Sequence, residues 1–178
     1  MLNVGDLVVH PRYGAAVVEE MRTMKYQEKT KQYYCLRLAR VESLVMIPED
    51  ALEQAGLRLK LLNAPTIKRI MHKQPSKLDE DSQERRTYIE TQMQSDNPHE
   101  VVSALRDICW YEAENGLTQT EIKLRKGLFE TIASELSAFQ RVDSLTARAD
   151  LKQIVDDAIA AHHITEHPDE AADGISAV

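Results

Sequence analysis

The apolar pattern of this chain changes period once, near residue 62, and that switch limits the folds open to it more than any other feature. Before it, short β-branched and aromatic runs alternate with turn chemistry. Val4-Gly5-Asp6-Leu7-Val8-Val9 opens on a Gly-Asp turn, and Pro11-Arg12-Tyr13-Gly14 joins a residue that fixes φ to one that supplies positive φ. Ala15-Ala16-Val17-Val18 follows. In Tyr33-Tyr34-Cys35-Leu36-Arg37-Leu38, the alternation puts Tyr34, Leu36 and Leu38 on one face. Leu44-Val45-Met46-Ile47 is a further β run stopped by Pro48, and Lys25 to Lys31 reads as a polar connector. Four or five short strands of this kind predict a small curled sheet or SH3-like barrel. Ala51 to Ala55 predicts one helical turn ended by Gly56.

After residue 62 the spacing is helical. Ile67, Ile70 and Met71 fall at i, i+3 and i+4, and Pro75 to Ser82 reads as a charged linker. Arg85 to Met93 predicts a helix. Asn97, Pro98 and Glu100 predict the start of another, which carries Val101, Leu105, Ile108 and Cys109 and ends near Gly116. Thr118 and Glu121 form a capping box ahead of Ile122, Leu128, Phe129, Ile132, Leu136 and Phe139. Thr146 predicts the start of a last helix through Leu151, Ile154, Val155, Ala158 and Ile159. The predicted fold class is α+β in two domains, a small barrel followed by a helical domain. The boundaries are 1–62 for the β module, 63–82 for a helix and linker, 83–161 for the helical module and 162–178 for a disordered acidic tail.

Charge follows the same divisions. Of a formal −7, residues 1–72 contribute +3, residues 73–161 contribute −6 and residues 162–178 contribute −4. A net acidic chain lacks the basic surplus of an autonomous DNA binder. No apolar run is long enough to span a membrane, and no secretory leader is visible, so a cytoplasmic, monomeric protein is expected. Cys35 and Cys109 sit inside apolar patterns and read as buried thiols. There is no Gly-rich phosphate loop, nucleophile elbow or zinc signature, so neither enzyme nor cofactor is expected. His162, His163 and His167 read as part of a mobile tail rather than as metal ligands, and Asp79-Glu80-Asp81 as a solvated linker.

Two features carry more information. Arg85 and Arg86, and then Lys123, Arg125 and Lys126, form basic clusters inside the acidic half. Such clusters suit phosphate oxygens, or else are ordinary solvated helix faces balanced by Glu84, Glu90 and Glu121. Leu44 to Ile47 is apolar at successive positions, so one face of that strand is free either for a partner or for burial within the chain.

Three segments together resemble the CarD/CdnL family of bacterial transcription regulators: Val4 to Val18, Met46-Ile47-Pro48-Glu49-Asp50-Ala51 running to Ala55-Gly56-Leu57-Arg58, and Asp96-Asn97-Pro98 through Leu105-Arg106-Asp107-Ile108 to Glu114-Asn115-Gly116-Leu117-Thr118. They lie in the family's order across about residues 3–160. The resemblance implies a Tudor-like N-terminal domain, shared with the transcription-repair coupling factor, that binds the RNA polymerase β subunit edge to edge. Carried over, the contacts are Leu44, Val45, Met46, Ile47 and Pro48, with Met24 and Lys25 on the facing hairpin. Some members have arginine where Met24 and Met46 stand here, which implies a more apolar interface in this chain. The family's helical domain contacts promoter DNA at the upstream edge of the transcription bubble, with a tryptophan wedged into the minor groove. Counting back from Asn97-Pro98 places that position at Ser82, while the single tryptophan, Trp110, falls on a different helix. The resemblance therefore implies DNA contact by Ser82, Arg85, Arg86, Lys123, Arg125 and Lys126, and a non-enzymatic regulator of promoter opening. The alternative is a protein-interaction module without DNA contact.

Overall fold

The computed structural model describes residues 2–26, 29–39, 43–59 and 62–166. Four antiparallel strands, β1 (Leu7–His10), β2 (Gly14–Tyr26), β3 (Lys29–Leu38) and β4 (Leu44–Pro48), form a sheet in sequence order. The β1–β2 turn is tight because Gly14 adopts φ +77°, a conformation that L side chains avoid. A bulge between Val18 and Glu20 curls β2 across β3. The inner face holds Val8, Ala16, Val18, Tyr34, Leu36, Leu38 and Ile47, with Leu52, Ala55 and Leu57 from the segment after β4 packed against them. The sheet is a half-barrel: β1 and β4 are its two edges and do not pair with each other. Of the two forms that the strand pattern predicts, a curled sheet or an SH3-like barrel, the described strands make the first.

The polar connector expected over Lys25 to Lys31 is instead the far end of a long hairpin. Thr23 pairs with Gln32, Met24 with Lys31 and Lys25 with Thr30. These arms are exposed on both faces, so backbone hydrogen bonding rather than burial holds them.

Helices α1 (Ala64–Met71), α2 (Ser82–Met93), α3 (Pro98–Asn115), α4 (Gln119–Gln140) and α5 (Ser144–Glu166) follow. Their starts are set by side-chain caps: Asn63 accepts from Thr66 N, Asp81 from Gln83 and Glu84 N, and Asn97 from His99 N. Thr118 and Glu121 form a reciprocal capping box on α4. Asp143 caps α5 by accepting from Leu145 and Thr146 N, so that helix begins two residues before the expected Thr146. Ile67, Ile70, Ile89, Val102, Leu105, Ile108, Leu128, Ile132, Leu136 and Leu151 form the second core.

Helix α5 runs into the segment expected as a tail from residue 162. His162 and His163 belong to α5, and His162 is buried with Nε2 3.1 Å from the Met71 carbonyl. Trp110 packs its ring against both histidines, at centroid separations of 5.4 and 5.1 Å. The helical period was hidden there because polar imidazoles occupy positions that pack on an aromatic. His167 and the rest of the acidic segment lie outside the described residues.

Candidate interaction surfaces

β4 has a hydrogen-bonded neighbour, β3, on one side only among the described residues. Its alternation is clear: Ile47 is buried and Val45 half-buried toward the inner core, while Leu44 and Met46 point outward at 42% and 37% exposure. Register puts Leu44 beside Arg37 and Val17, and Met46 beside Cys35 and Glu20, so all share the outer face. Met24 lies on that face four residues beyond Glu20, at 45% exposure. Lys25 is exposed on the opposite face of the hairpin. Charges on the outer face are paired locally, Arg37 with Glu19 and Arg22 with Glu20. What is left is a free strand edge flanked by methionine and leucine, a surface suited to strand addition with apolar side-chain contacts. Lys31 Nζ donates to Asp50 Oδ2 at 2.8 Å and ties the hairpin to the turn after β4.

On the helical side the expected basic residues divide. Arg85 is buried. Its Nε donates to Glu121 Oε1 at 2.7 Å and its Nη1 to the carbonyls of Asp79 and Glu80 at 2.7 and 2.8 Å, while its guanidinium lies 4.2 Å from the Tyr111 ring centroid. The expectation that Arg85 meets phosphate is therefore corrected: its side chain is 5% exposed and its Nε and Nη1 donors are engaged inside the protein, so it is sealed from a phosphate outside. Burial alone would push the Glu121 carboxyl up. Hydrogen bonds from Arg85 and Thr118 outweigh that and hold it below its ordinary value. Arg125 is half-buried with Nε 2.8 Å from Glu112 Oε2, which ties α4 to α3.

Arg86, Lys123 and Lys126 stay accessible. Arg86 is half-buried along α2, its Nε donating to the Ser82 carbonyl at 3.3 Å. Lys123 and Lys126 are exposed on α4. Lys123 borders a cleft of about 440 Å³ with Arg12 of the β1–β2 turn, Met93 and Glu90 of α2, and Leu124 and Gly127. Ser82 is the first residue of α2, directly after the Asp81 cap, and is half-buried. No aromatic takes the wedge role beside it. Tyr88 donates its hydroxyl to Asp107 Oδ2 at 3.0 Å, and burial together with that carboxylate pushes the phenol up to about 12. Trp110 is committed to the α5 histidines.

Two further buried ion pairs went unread in the sequence. Arg58 meets Glu135 through two hydrogen bonds, and Arg106 meets its neighbour Asp107, which also accepts from Ser76 N. The signal for Glu135 was its place between Ile132 and Leu136, where a lone carboxylate on an apolar face demands a buried cation. Burial pushes the Cys109 thiol up to about 12, and Cys35 is raised by burial as well, so neither is a candidate nucleophile. Among the described residues no group of three or more histidine, cysteine, aspartate or glutamate side chains could hold a metal ion. No described helix is long and apolar enough to cross a membrane.

Residues 2–59 match the family described as the CarD-like/TRCF RID domain. Over 155 residues the chain is 26% identical to a Bacillus subtilis (strain 168) protein named "Putative transcription factor YdeB", covering 80% of this chain and 94% of that protein.

Proposed function

We propose, from the match of residues 2–59 to the CarD-like/TRCF RID domain and the likeness to a putative transcription factor, that this chain is a transcription regulator of the CarD/CdnL type. It docks on the β subunit of RNA polymerase through β4 and presents Arg86, Lys123 and Lys126 to promoter DNA. The DNA contact is strongest once the promoter opens. The observation that carries this reading is the β4 edge, unpaired among the described residues, with Leu44 and Met46 turned outward. Main-chain hydrogen bonds would supply the affinity, and the apolar side chains the selectivity.

The DNA contact is small. With Arg85 buried and Arg125 paired to Glu112, three of the five expected cations are left, against a net charge of −7. Free DNA would not be held by so few contacts, but polymerase raises the local concentration enough for a few to count. Contacts made to the open complex and not to the closed one shift the equilibrium by their difference. Ser82 at the wedge position supplies no stacking, so the shift is smaller than a tryptophan would produce.

The occupied arginines also favour a second reading, in which the protein binds polymerase and does not touch DNA. Two substitutions separate the readings. Met46→Glu should weaken binding to polymerase by about tenfold or more, since it buries a carboxylate at the centre of the interface. Arg86→Glu with Lys126→Glu should leave that binding intact and reduce open-complex lifetime. Binding untouched by Met46→Glu overturns the docking surface. A lifetime untouched by the double reversal leaves the interaction-module reading.

A further inference from the structure

The two halves of the chain meet at a joint built like an anchor. Arg58 is fixed to the sheet through its backbone: Val9 N donates to Arg58 O at 2.8 Å and Arg58 N to Val9 O at 3.0 Å. Its side chain crosses to α4, where Nη1 and Nη2 donate to the two oxygens of Glu135 at 3.2 and 2.8 Å. Both side chains are sealed from solvent, at 2% and 0% exposure. Glu135 Oε1 also accepts from Leu62 N at 2.7 Å, at the entry to α1. One carboxylate therefore holds the sheet, the connecting segment and α4.

The neighbouring contacts leave no slack. Ser134 Oγ accepts from Ala15 N at 3.1 Å, and Thr131 Oγ1 donates to the Pro11 carbonyl at 3.3 Å. A Cβ at Gly14 would lie 2.8 Å from Ser134 Cβ, so α4 sits on the strand at a distance only glycine permits. Val9 and Ala15, paired across β1 and β2, are fully buried at this end of the sheet, where α4 packs.

We propose that Arg58 and Glu135 are positioning residues: they fix the angle between the β4 edge and the basic face of α2 and α4, so that docking the sheet determines where the helices meet DNA. This rests on the function proposed above. A buried ion pair is a weak source of net stability but a strict geometric one, because a charge that loses its partner there has nowhere to go. Two linked contacts gain from each other only when the link holds both in reach at once.

The test measures orientation in the free protein and effect in the complex. Spin labels at Thr23→Cys on β2 and Lys152→Cys on α5 report the distance between the halves; both sites are exposed and neither belongs to a proposed contact. In the parent protein the distance distribution should be narrow. Glu135→Ala should broaden it, leave the affinity for polymerase within about twofold, and shorten the open-complex lifetime about tenfold, the loss expected when one of two linked contacts goes. Arg58→Met with Glu135→Gln removes both charges, keeps an acceptor for Leu62 N, and should restore the narrow distribution and the lifetime. Ser134→Leu keeps the ion pair but wedges against Gly14; it should shift the mean distance and shorten the lifetime, which keeps the test open if Glu135→Ala does not fold. A distribution that keeps its width in Glu135→Ala and its mean in Ser134→Leu overturns the proposal, as does one that changes with no change in lifetime. Equal loss of polymerase affinity and lifetime also overturns it, since that marks general unfolding. A parent protein that fails to bind polymerase sinks the functional reading instead, and the distance measurement on the free protein is unaffected.

Discussion

Glu121 holds Arg85 with one oxygen and closes the capping box of α4 with the other: Oε1 accepts from Arg85 Nε at 2.7 Å while Oε2 accepts from Thr118 N and Oγ1 at 2.8 and 2.6 Å. Since Arg85 also binds the carbonyls of Asp79 and Glu80, this pair pins the entry to α2 against the start of α4. Arg85→Met should therefore destabilise the fold by about 3–5 kcal/mol, the cost of leaving a buried carboxylate without its cation. Arg86→Glu, one residue on, should change stability by less than about 0.5 kcal/mol. Urea denaturation of the two variants checks both figures.

The same carboxylate makes stability depend on acid. Glu121 titrates below its ordinary value in the folded protein, so the unfolded chain takes up a proton at higher pH than the native one does. Its contribution is fully present above the ordinary carboxylate range of about 4.3 and is lost as pH falls through the lowered folded value. The stability gap between the native sequence and Glu121→Gln should be largest near neutrality and shrink steadily below about pH 4. Thermal melts of both proteins across that range would show it, and a gap independent of pH would contradict it.

Cys109 lies on the inner face of α3 at 3% exposure, with its thiol pushed up to about 12. At pH 8 almost none of it is thiolate, and the thiolate is the reactive form. Iodoacetamide should leave the native protein unmodified over hours and label both cysteines promptly in denaturant. Mass spectrometry before and after unfolding reads the difference.

Gly127 sits in the middle of α4, and a Cβ there would meet nothing within 4 Å. Gly127→Ala should therefore raise stability by about 0.5–1 kcal/mol through the unfolded chain and helix propensity. A lower melting temperature would show that the cleft beside Lys123 closes on the glycine.

Ser82→Trp places an aromatic at the first residue of α2, beside the accessible Arg86. It should lengthen the lifetime of the promoter open complex, because a ring wedged at an unstacked base step exchanges stacking for an opened duplex. No change in a promoter-opening assay would rule out Ser82 as the wedge position.

What could be read from the sequence followed from local chemistry. The caps at Asn97 and Thr118 and the inner face of β3 through Tyr34, Leu36 and Leu38 need only neighbouring residues to declare themselves. The hairpin arms did not, because Thr23, Lys25, Thr30 and Gln32 are polar and solvated whichever way they point. The outward apolar face of β4 was legible, because successive apolar residues require a second apolar face. The burial of Arg85 was not. Helical spacing aligns Arg85 with buried Ile89 four residues on, whereas Arg86 aligns with exposed Glu90; the doublet looked uniform and the helix is not. The partners of Arg58 and Arg85 lie 77 and 36 residues away, so only tertiary structure joins them.

The sealing of these arginine pairs sorts the molecule's bonds by their response to dissolved salt. Counterions cannot reach Arg58 or Arg85, whose side chains are 2% and 5% exposed, so these two joints should be indifferent to ionic strength. Lys123 and Lys126 stand in open solvent, where a Debye length of about 8 Å screens them at physiological salt. The leucine and methionine flank of β4 carries no charge to screen. Raising the salt therefore strips away only what the exposed cations hold, and leaves the joint and the sheet edge as they were.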